Sequence, residues 1–332
     1  MKAEETAVPA GRCLRVVVLM PVYRDWPSAA LVCRSLDKHL AKSEGIQTSI
    51  LLVDDGSPED ACDWPEFERL SLERIEVLRL RRNLGHQRAI GVGLCYIHDH
   101  IACDAVLVMD SDGEDRPEDA VRLIEKAKAD RARVFFAERR KRQEGIVFRG
   151  GYTVFRGVHW LLTGIPVRVG NFSVVPFRVI RRLVSMSELW NHFAGAVYKS
   201  KAQFACVPMD RGRRLQGKSH MNLAALVAHG IAGIATFHET VATRILISNV
   251  LGLALLTVLL AAVAAVRLMT KLAIPGWATL ATGFVLVLAI QLVGISFSLV
   301  FTLISNRTSM MFVPSREYSL FVDWVQTLAE AH

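Results

Sequence analysis

Between Ile245 and Ile304 the chain carries only two ionisable side chains, Arg267 and Lys271. Nothing constrains its fold more. Ile245–Val266 is uncharged, and at about 1.5 Å rise per residue a helix of this length crosses about 30 Å of hydrocarbon. Trp277–Ile304 is a second uncharged run, and Pro275 and Gly276 lie in the short connection between the two. Two spans with a short loop predict a hairpin with both its ends on one membrane side. The basic N-terminal part, Arg307 and Arg316 favour the cytoplasm for those ends, because positive residues are retained there. The expected protein is therefore integral to the cell (inner) membrane, with the charged N-terminal domain and both termini cytoplasmic.

The remainder is densely charged up to about Arg244, so the domain boundary falls where charge disappears. Segment 222–244 reads as an amphipathic juxtamembrane helix or as an ordinary core helix. The same two readings apply to Gly151–Ile165, where Arg156, His159 and Trp160 interrupt an apolar stretch. The expected organisation is a tail at 1–14, a cytosolic domain at 15–221, the juxtamembrane helix, a hairpin at 245–304 and a cytosolic tail at 305–332. The first ten residues hold two glutamates and no apolar run, so no secretory leader is expected there. Six scattered cysteines without a CxxC pair predict reduced thiols. The net charge of +8 comes without a zinc-finger spacing or an aromatic RNA-binding strip, so anionic lipid and phosphate are the expected partners, not nucleic acid. A homo-oligomer is left open.

Residues 14–137 alternate short apolar runs with helical segments. Strands are expected at Leu14–Met20, Ser49–Val53, Ile75–Leu80, Ala105–Met109 and Arg133–Ala137, with helices at Ala29–Leu40, Gln87–His98 and Pro117–Ala129. That order predicts an α/β fold with a mainly parallel, three-layer sheet. Ligands bind beyond the carboxyl ends of such strands. Pro21-Val22-Tyr23 follows the first strand, Asp54-Asp55-Gly56-Ser57 the second and Asp110-Ser111-Asp112 the fourth. A pair such as Asp110 and Asp112 can hold a hard divalent cation through oxygen, and that cation can bridge a diphosphate. Either cluster alone could be a solvated acidic turn; two at the ends of two parallel strands point to a site. A dinucleotide fingerprint and a P-loop are both missing.

These stretches resemble glycosyltransferase family two, with its Rossmann-like GT-A fold, and within it the dolichol-phosphate mannose synthase branch and its bacterial polyprenyl-phosphate relatives. The matching segments are LMPVYRD (Leu19–Asp25), LLVDDGSPED (Leu51–Asp60), RRNLGHQRAIGVGL (Arg81–Leu94) and VLVMDSDGEDRPED (Val106–Asp119). Gly164–Ile180 and Arg214–Asn222 match more loosely, and the paired C-terminal spans match the bacterial membrane members. The resemblance implies inverting transfer of a sugar from a UDP- or GDP-linked donor to a polyprenyl phosphate, with Mg2+ or Mn2+ as cofactor. It places Pro21, Tyr23, Asp25, Asp54, Asp55 and Asp110 around the nucleotide sugar, and Asp112, with Asp110 and Glu114, at the metal. Asp112, Arg149 and Arg214 take the catalytic roles. Arg139 or Arg140, Thr153, Lys218, Ser219 and His220 fall at positions for the lipid phosphate. Arg24 and Asp25, Glu114, Asn171 and His220 depart from the family's usual residues. The basic runs at Arg139–Arg142 and Arg211–Arg214 read equally well as attracting anionic lipid. Two rival readings are a glycosyltransferase for another lipid acceptor and a degenerate, non-catalytic membrane scaffold. A processive synthase is disfavoured by the lack of a QxxRW motif between Phe193 and Thr243.

Overall fold

The computed structural model describes residues 13–41, 43–58, 67, 72–139, 146–166, 169–210, 212, 214–215, 223–270, 274–308 and 312–330. For residues 139, 146–152, 223–226, 229 and 306–308 it describes the backbone alone. The chain divides into two compact units. One gathers the residues up to Tyr152, Val167–Thr236 and the residues from Phe312 onward; the other gathers Thr153–Pro166 and Phe237–Met311.

The first unit is built on an eight-stranded sheet. Its strands are β1 (Leu14–Val22), β2 (Ile46–Asp54), β3 (Arg74–Leu80), β4 (Ala105–Val108), β5 (Val134–Arg139), β6 (Val169–Pro176), β7 (Phe204–Met209) and β8 (Val322–Glu330). The order across the sheet is β7-β5-β6-β4-β1-β2-β3-β8. Strands β4, β1, β2 and β3 are parallel neighbours, whereas β6 runs antiparallel between β4 and β5, and β8 antiparallel to β3. Helices α1 (Trp26–Leu40) and α3 (Pro117–Ala129) cover one face; α2 (His86–His100), α5 (Phe177–Leu183) and α6 (Phe193–Lys199) cover the other. Because alternate side chains leave a strand on opposite faces, Val16, Val18 and Met20 of β1 enter the first core, and Val17 and Leu19 the second. Both faces are covered, which is why β1 reads as a continuous apolar run and not as an alternating one. This is the mixed, mainly parallel three-layer arrangement of the GT-A fold.

Some details of the sheet differ from the sequence expectation. β1 continues through Pro21 to Val22. β4 pairs with it only as far as Leu19, so the N–H that proline lacks falls where β1 has a single neighbour. More consequentially, residues expected to be a plain C-terminal tail form β8 and complete the sheet. Some of its apolar residues are half-buried: Trp324 and Leu328 pack on one core and Val322 on the other. Register shifts on β8 move this unevenly spaced set into place. A strand signal so irregular is weak when read locally.

In the second unit, α8 (His238–Met269) and α9 (Trp277–Thr308) are packed side by side. Both are long and apolar enough to cross a membrane, with mean hydropathies of 2.4 and 2.5 over their best windows. Only 6% and 0% of those windows are buried, so these are not core helices of a globule. Asn249 is the buried polar exception. Its Nδ2 donates to Ser296 Oγ at 3.0 Å and ties the two helices together. The C-terminal part of α4 (Ile146–Thr163) belongs to the same unit. Arg244 donates to the Trp160 and Leu161 carbonyls at 3.2 and 2.7 Å and so caps that helix end. Val154, Trp160 and Leu161 are exposed on α4, so its residues 153–163 do not form an ordinary core helix. The expected juxtamembrane helix at 222–244 is two pieces: α7 (Leu223–Ala235), then the start of α8.

Candidate active site

The parallel strands β1, β2 and β4 end together, and their carboxyl ends deliver the acidic residues to one edge. At the end of β2, Asp55 donates its N–H to the Val22 carbonyl at 2.8 Å, which fixes the ends of β1 and β2 side by side. The Asp54 and Asp55 side chains are almost wholly buried. Asp54 Oδ1 accepts the Ser57 N–H at 2.8 Å, closing the turn, and its Oδ2 lies 3.7 Å from Arg79 Nε. Asp55 reaches the loop before α2, accepting the Leu84 N–H at 2.6 Å and the Gly85 N–H at 2.9 Å. Gly56 sits at φ +73°, and a Cβ there would stand 2.7 Å from the Asn83 nitrogen, so the two loops approach closely only because it is glycine. Burial pushes the Asp55 carboxyl up to about 6, although the Leu84 and Gly85 donors pull the other way.

Tyr23 and Arg24 form the lip of this corner. Tyr23 is 37% exposed, and the Arg24 guanidinium lies over its ring at 5.4 Å. Arg24 adopts φ +55°, which is uncommon outside glycine, and its N–H is held by Ser57 Oγ at 2.9 Å.

Beyond β4 the Asp110–Asp115 turn doubles back on itself. The Asp110 N–H donates to Asp115 Oδ2 at 3.0 Å and the Glu114 N–H to Asp112 Oδ1 at 2.9 Å. Ser111 Oγ donates to the Pro21 carbonyl at 2.9 Å and ties this turn to the end of β1. Gly113, at φ +85°, leaves room for Leu215, which a Cβ would meet at 2.5 Å. The segment around Leu215 lies against the turn through Leu215 N–H to the Asp112 carbonyl (3.0 Å) and Gly212 N–H to the Glu114 carbonyl (2.8 Å). That contact delivers Arg214, whose guanidinium is 3.4 Å from Asp112 Oδ2 and also bonds Asp25.

Asp110 meets a second cation. His86 Nε2, at the start of α2, is 3.2 Å from Asp110 Oδ1. Desolvation works against a charged imidazole here, but Asp110, with Asp115 and Asp55 behind it, outweighs it and raises the His86 pKa. Asn171 Nδ2 is 3.0 Å from the same ring nitrogen, Gln87 Nε2 donates to Asn171 Oδ1 at 3.1 Å, and Gln87 Oε1 accepts the Phe193 N–H at 2.8 Å. His86 and Gln87 lie inside the matching segment Arg81–Leu94, and Asp115 inside Val106–Asp119, but the sequence assigned none of them a site role. Adjacent polar residues at the start of α2, behind Gly85, were the available signal.

Of the expected site residues, Pro21, Tyr23, Asp25, Asp54, Asp55, Asp110, Asp112 and Arg214 converge on this edge. Among the described residues no three His, Cys, Asp or Glu side chains are grouped closely enough to hold one metal ion, so Glu114 does not join Asp110 and Asp112 in a three-carboxylate cluster. One reason is visible: an Asp112 oxygen is turned to the Glu114 backbone. Two carboxylates on one turn nevertheless fit a magnesium-type ion, which fills the rest of its octahedron with water and substrate phosphate. Thr153 is exposed and lies in the second unit. Arg140, Lys218, Ser219 and His220 lie outside the described residues, as do the side chains of Arg139 and Arg149.

Residues 17–184, half of the chain, match the family model for glycosyl transferase family 2. An uncharacterized glycosyltransferase, YkcC, of Bacillus subtilis (strain 168) is 28% identical over 193 residues, covering 57% of this chain and 58% of that protein. An undecaprenyl-phosphate 4-deoxy-4-formamido-L-arabinose transferase of Klebsiella pneumoniae (strain 342) is 33% identical over 114 residues, 34% of this chain and 33% of that protein. The chain thus spans about a third to three-fifths of the length of these curated relatives. Among solved structures, glucosyl-3-phosphoglycerate synthase from Mycobacterium tuberculosis in complex with Mn2+ and UDP-glucose aligns over 70% of this chain and 80% of that one, at 17% identity and a TM-score of 0.49. S. aureus TarS 1-349 in complex with UDP-GlcNAc aligns over 70% and 67%, at 14% identity and a TM-score of 0.41. With half its length matched by the family model, and with the DDGS and DSD turns set at the carboxyl ends of parallel strands, the chain belongs to glycosyl transferase family 2.

Proposed function

We propose that this protein transfers a sugar from a UDP- or GDP-linked donor to a polyprenyl phosphate at the cytoplasmic face of the cell (inner) membrane. The observation that carries the reading is the meeting of two acidic turns at one sheet edge, in a chain that also holds two exposed apolar helices of membrane-crossing length. The name of the Klebsiella relatives, undecaprenyl-phosphate sugar transferases, supports the acceptor class. Asp54 and Asp55 organise the nucleoside corner, Tyr23 offers the base a ring to stack on, and Asp25 lines the same edge. Asp110 and Asp112 would hold Mg2+ or Mn2+, which when bound neutralises the departing diphosphate.

The acceptor is already an anion near neutral pH, since the second pKa of a phosphate monoester is about 6. Its oxygen attacks the anomeric carbon as the bond to the nucleoside diphosphate breaks, with inversion, so alignment and charge neutralisation matter more than a strong base. Arg214 supplies a planar fork for a phosphate, and Arg149, Arg139 or Arg140, Thr153, Lys218, Ser219 and His220 are proposed for the lipid phosphate. The exposed apolar side chains of α4 and α7, Val154, Trp160, Leu161, Val227 and Ile231, suit a lipid headgroup region.

The test incubates purified full-length protein in nanodiscs with undecaprenyl phosphate and a panel of labelled UDP- and GDP-sugars. Label passing to the lipid with one donor, and stopping when EDTA is added, is expected. Nucleotide binding without transfer to any lipid would favour the non-catalytic scaffold and overturn this assignment.

A further inference from the structure

The nucleotide corner is held from behind by a strand that the chain supplies only after its membrane hairpin. Arg79, in β3, joins the turn to β8. Its Nε lies 3.7 Å from Asp54 Oδ2, a terminal nitrogen donates to the Ser57 carbonyl at 3.0 Å, and its guanidinium lies 5.6 Å from the centre of the Trp324 ring in β8. Asp54 and Ser57 are the two ends of the turn that shapes the corner, and Ser57 Oγ in turn holds the Arg24 N–H in its left-handed conformation. Contacts therefore run without a break from Trp324 through Arg79 to the turn and on to the exposed lip at Arg24.

We infer that Trp324 is a positioning residue for the nucleotide, acting through Arg79. The inference rests on reading the corner as the nucleotide site. Asp54 is 1% exposed, so the guanidinium 3.7 Å away offsets the burial of its carboxylate. A guanidinium on a long flexible stem makes a sharp contact only if something limits its rotamers. The face of an indole does so, because the quadrupole of the ring attracts the cation while the ring plane blocks its other positions. β3 and β8 pair antiparallel, and between the two register shifts their pairing sets Trp324 directly across from Arg79. The part of the chain that lies beyond the membrane hairpin thereby takes part in substrate positioning, and an intact C-terminal strand becomes a condition for tight donor binding.

The experiment measures binding of UDP and of GDP, each with MnCl2, to the full-length protein in detergent by titration calorimetry, with the thermal midpoint recorded beside it. Trp324→Leu keeps apolar bulk on the sheet but removes the aromatic face; Trp324→Phe keeps a face. Trp324→Leu should weaken the nucleotide that binds by about three-fold to five-fold, the scale of a half-exposed cation–π contact. Trp324→Phe should recover most of that loss. In an Arg79→Gln background, Trp324→Leu should change affinity by less than about 1.5-fold, because the residue through which it acts is gone. Equal losses in both backgrounds, or a lowered midpoint with unchanged affinity, would overturn the inference. If the native protein binds neither nucleotide, the corner is not a nucleotide site and the inference falls with that reading.

Discussion

The two acidic turns at the sheet edge are held in different ways. In the Asp54–Ser57 turn the carboxylates accept backbone N–H groups from Ser57, Leu84 and Gly85, both aspartates are buried, and the cation beside Asp54, Arg79, is itself tied to the Ser57 carbonyl of the same turn. In the Asp110–Asp115 turn Asp110 and Asp112 are partly exposed, and their cations, His86 at Asp110 and Arg214 at Asp112, come from outside the turn. Backbone donors cannot leave without unfolding the loop, whereas a long arginine can be exchanged for another cation. The first turn is thus a fixed frame, and the second is a place where one positive charge can replace another.

The sharpest way to break this comparison is Asp112→Ala. Removing a carboxylate proposed to hold the metal should lower lipid-linked sugar formation by about a thousand-fold, the scale of losing charge stabilisation at a leaving group. The thermal midpoint should move little, since the bonds lost, to the Glu114 N–H and to Arg214, lie at a partly exposed turn. Full transfer activity in this variant would remove the metal from Asp112.

The frame has its own signature in pH. The Asp55 carboxyl binds its proton more tightly in the fold, at about 6, than in the unfolded chain, at 3.8. Its contribution to stability is therefore fully present below the unfolded value and is lost as pH rises through about 6. Asparagine cannot titrate. The stability of the native protein minus that of Asp55→Asn should accordingly be higher at pH 4 than at pH 7, by on the order of 3 kcal/mol at most. A flat difference between these pH values in denaturant titrations would show that Asp55 is not held as described.

The exchangeable cation predicts a smaller, opposite effect. Arg214→Ala removes a competitor for Asp112, so Mn2+ should bind the nucleotide-free protein more tightly, by about three-fold to ten-fold, while transfer falls. Calorimetry with Mn2+ alone reads the first change and the lipid assay the second. Weaker Mn2+ binding would make Arg214 a support of the site and not a stand-in for the ion. Ser57→Ala is the mildest test. It removes the oxygen that holds the Arg24 N–H and should cost about 1 kcal/mol of stability, read as a small fall in the thermal midpoint.

Much of the α/β order was legible in local patterns. The buried runs of β1, β2 and β4, the helix opening at Pro117 and the two membrane-length helices are each written within a few neighbouring residues. The positions of Asp54, Asp55, Asp110 and Asp112 follow from them, because a residue after a parallel strand has only one edge to occupy. Local pattern had no access to partners distant in the chain. Arg214 reaches Asp25 across 189 residues, and Asn171 reaches His86 across 85. β8 was unreadable for the same reason: its apolar residues are unevenly spaced and acquire a face only once β3 sets their register. The sequence by itself determined which residues are apolar enough to form strands and spans, since burial is a property of each side chain and its period. Only the tertiary structure decided which charge meets which carboxylate and that Trp324 stands behind Arg79, since those pairings exist only after the sheet has brought remote segments to one edge.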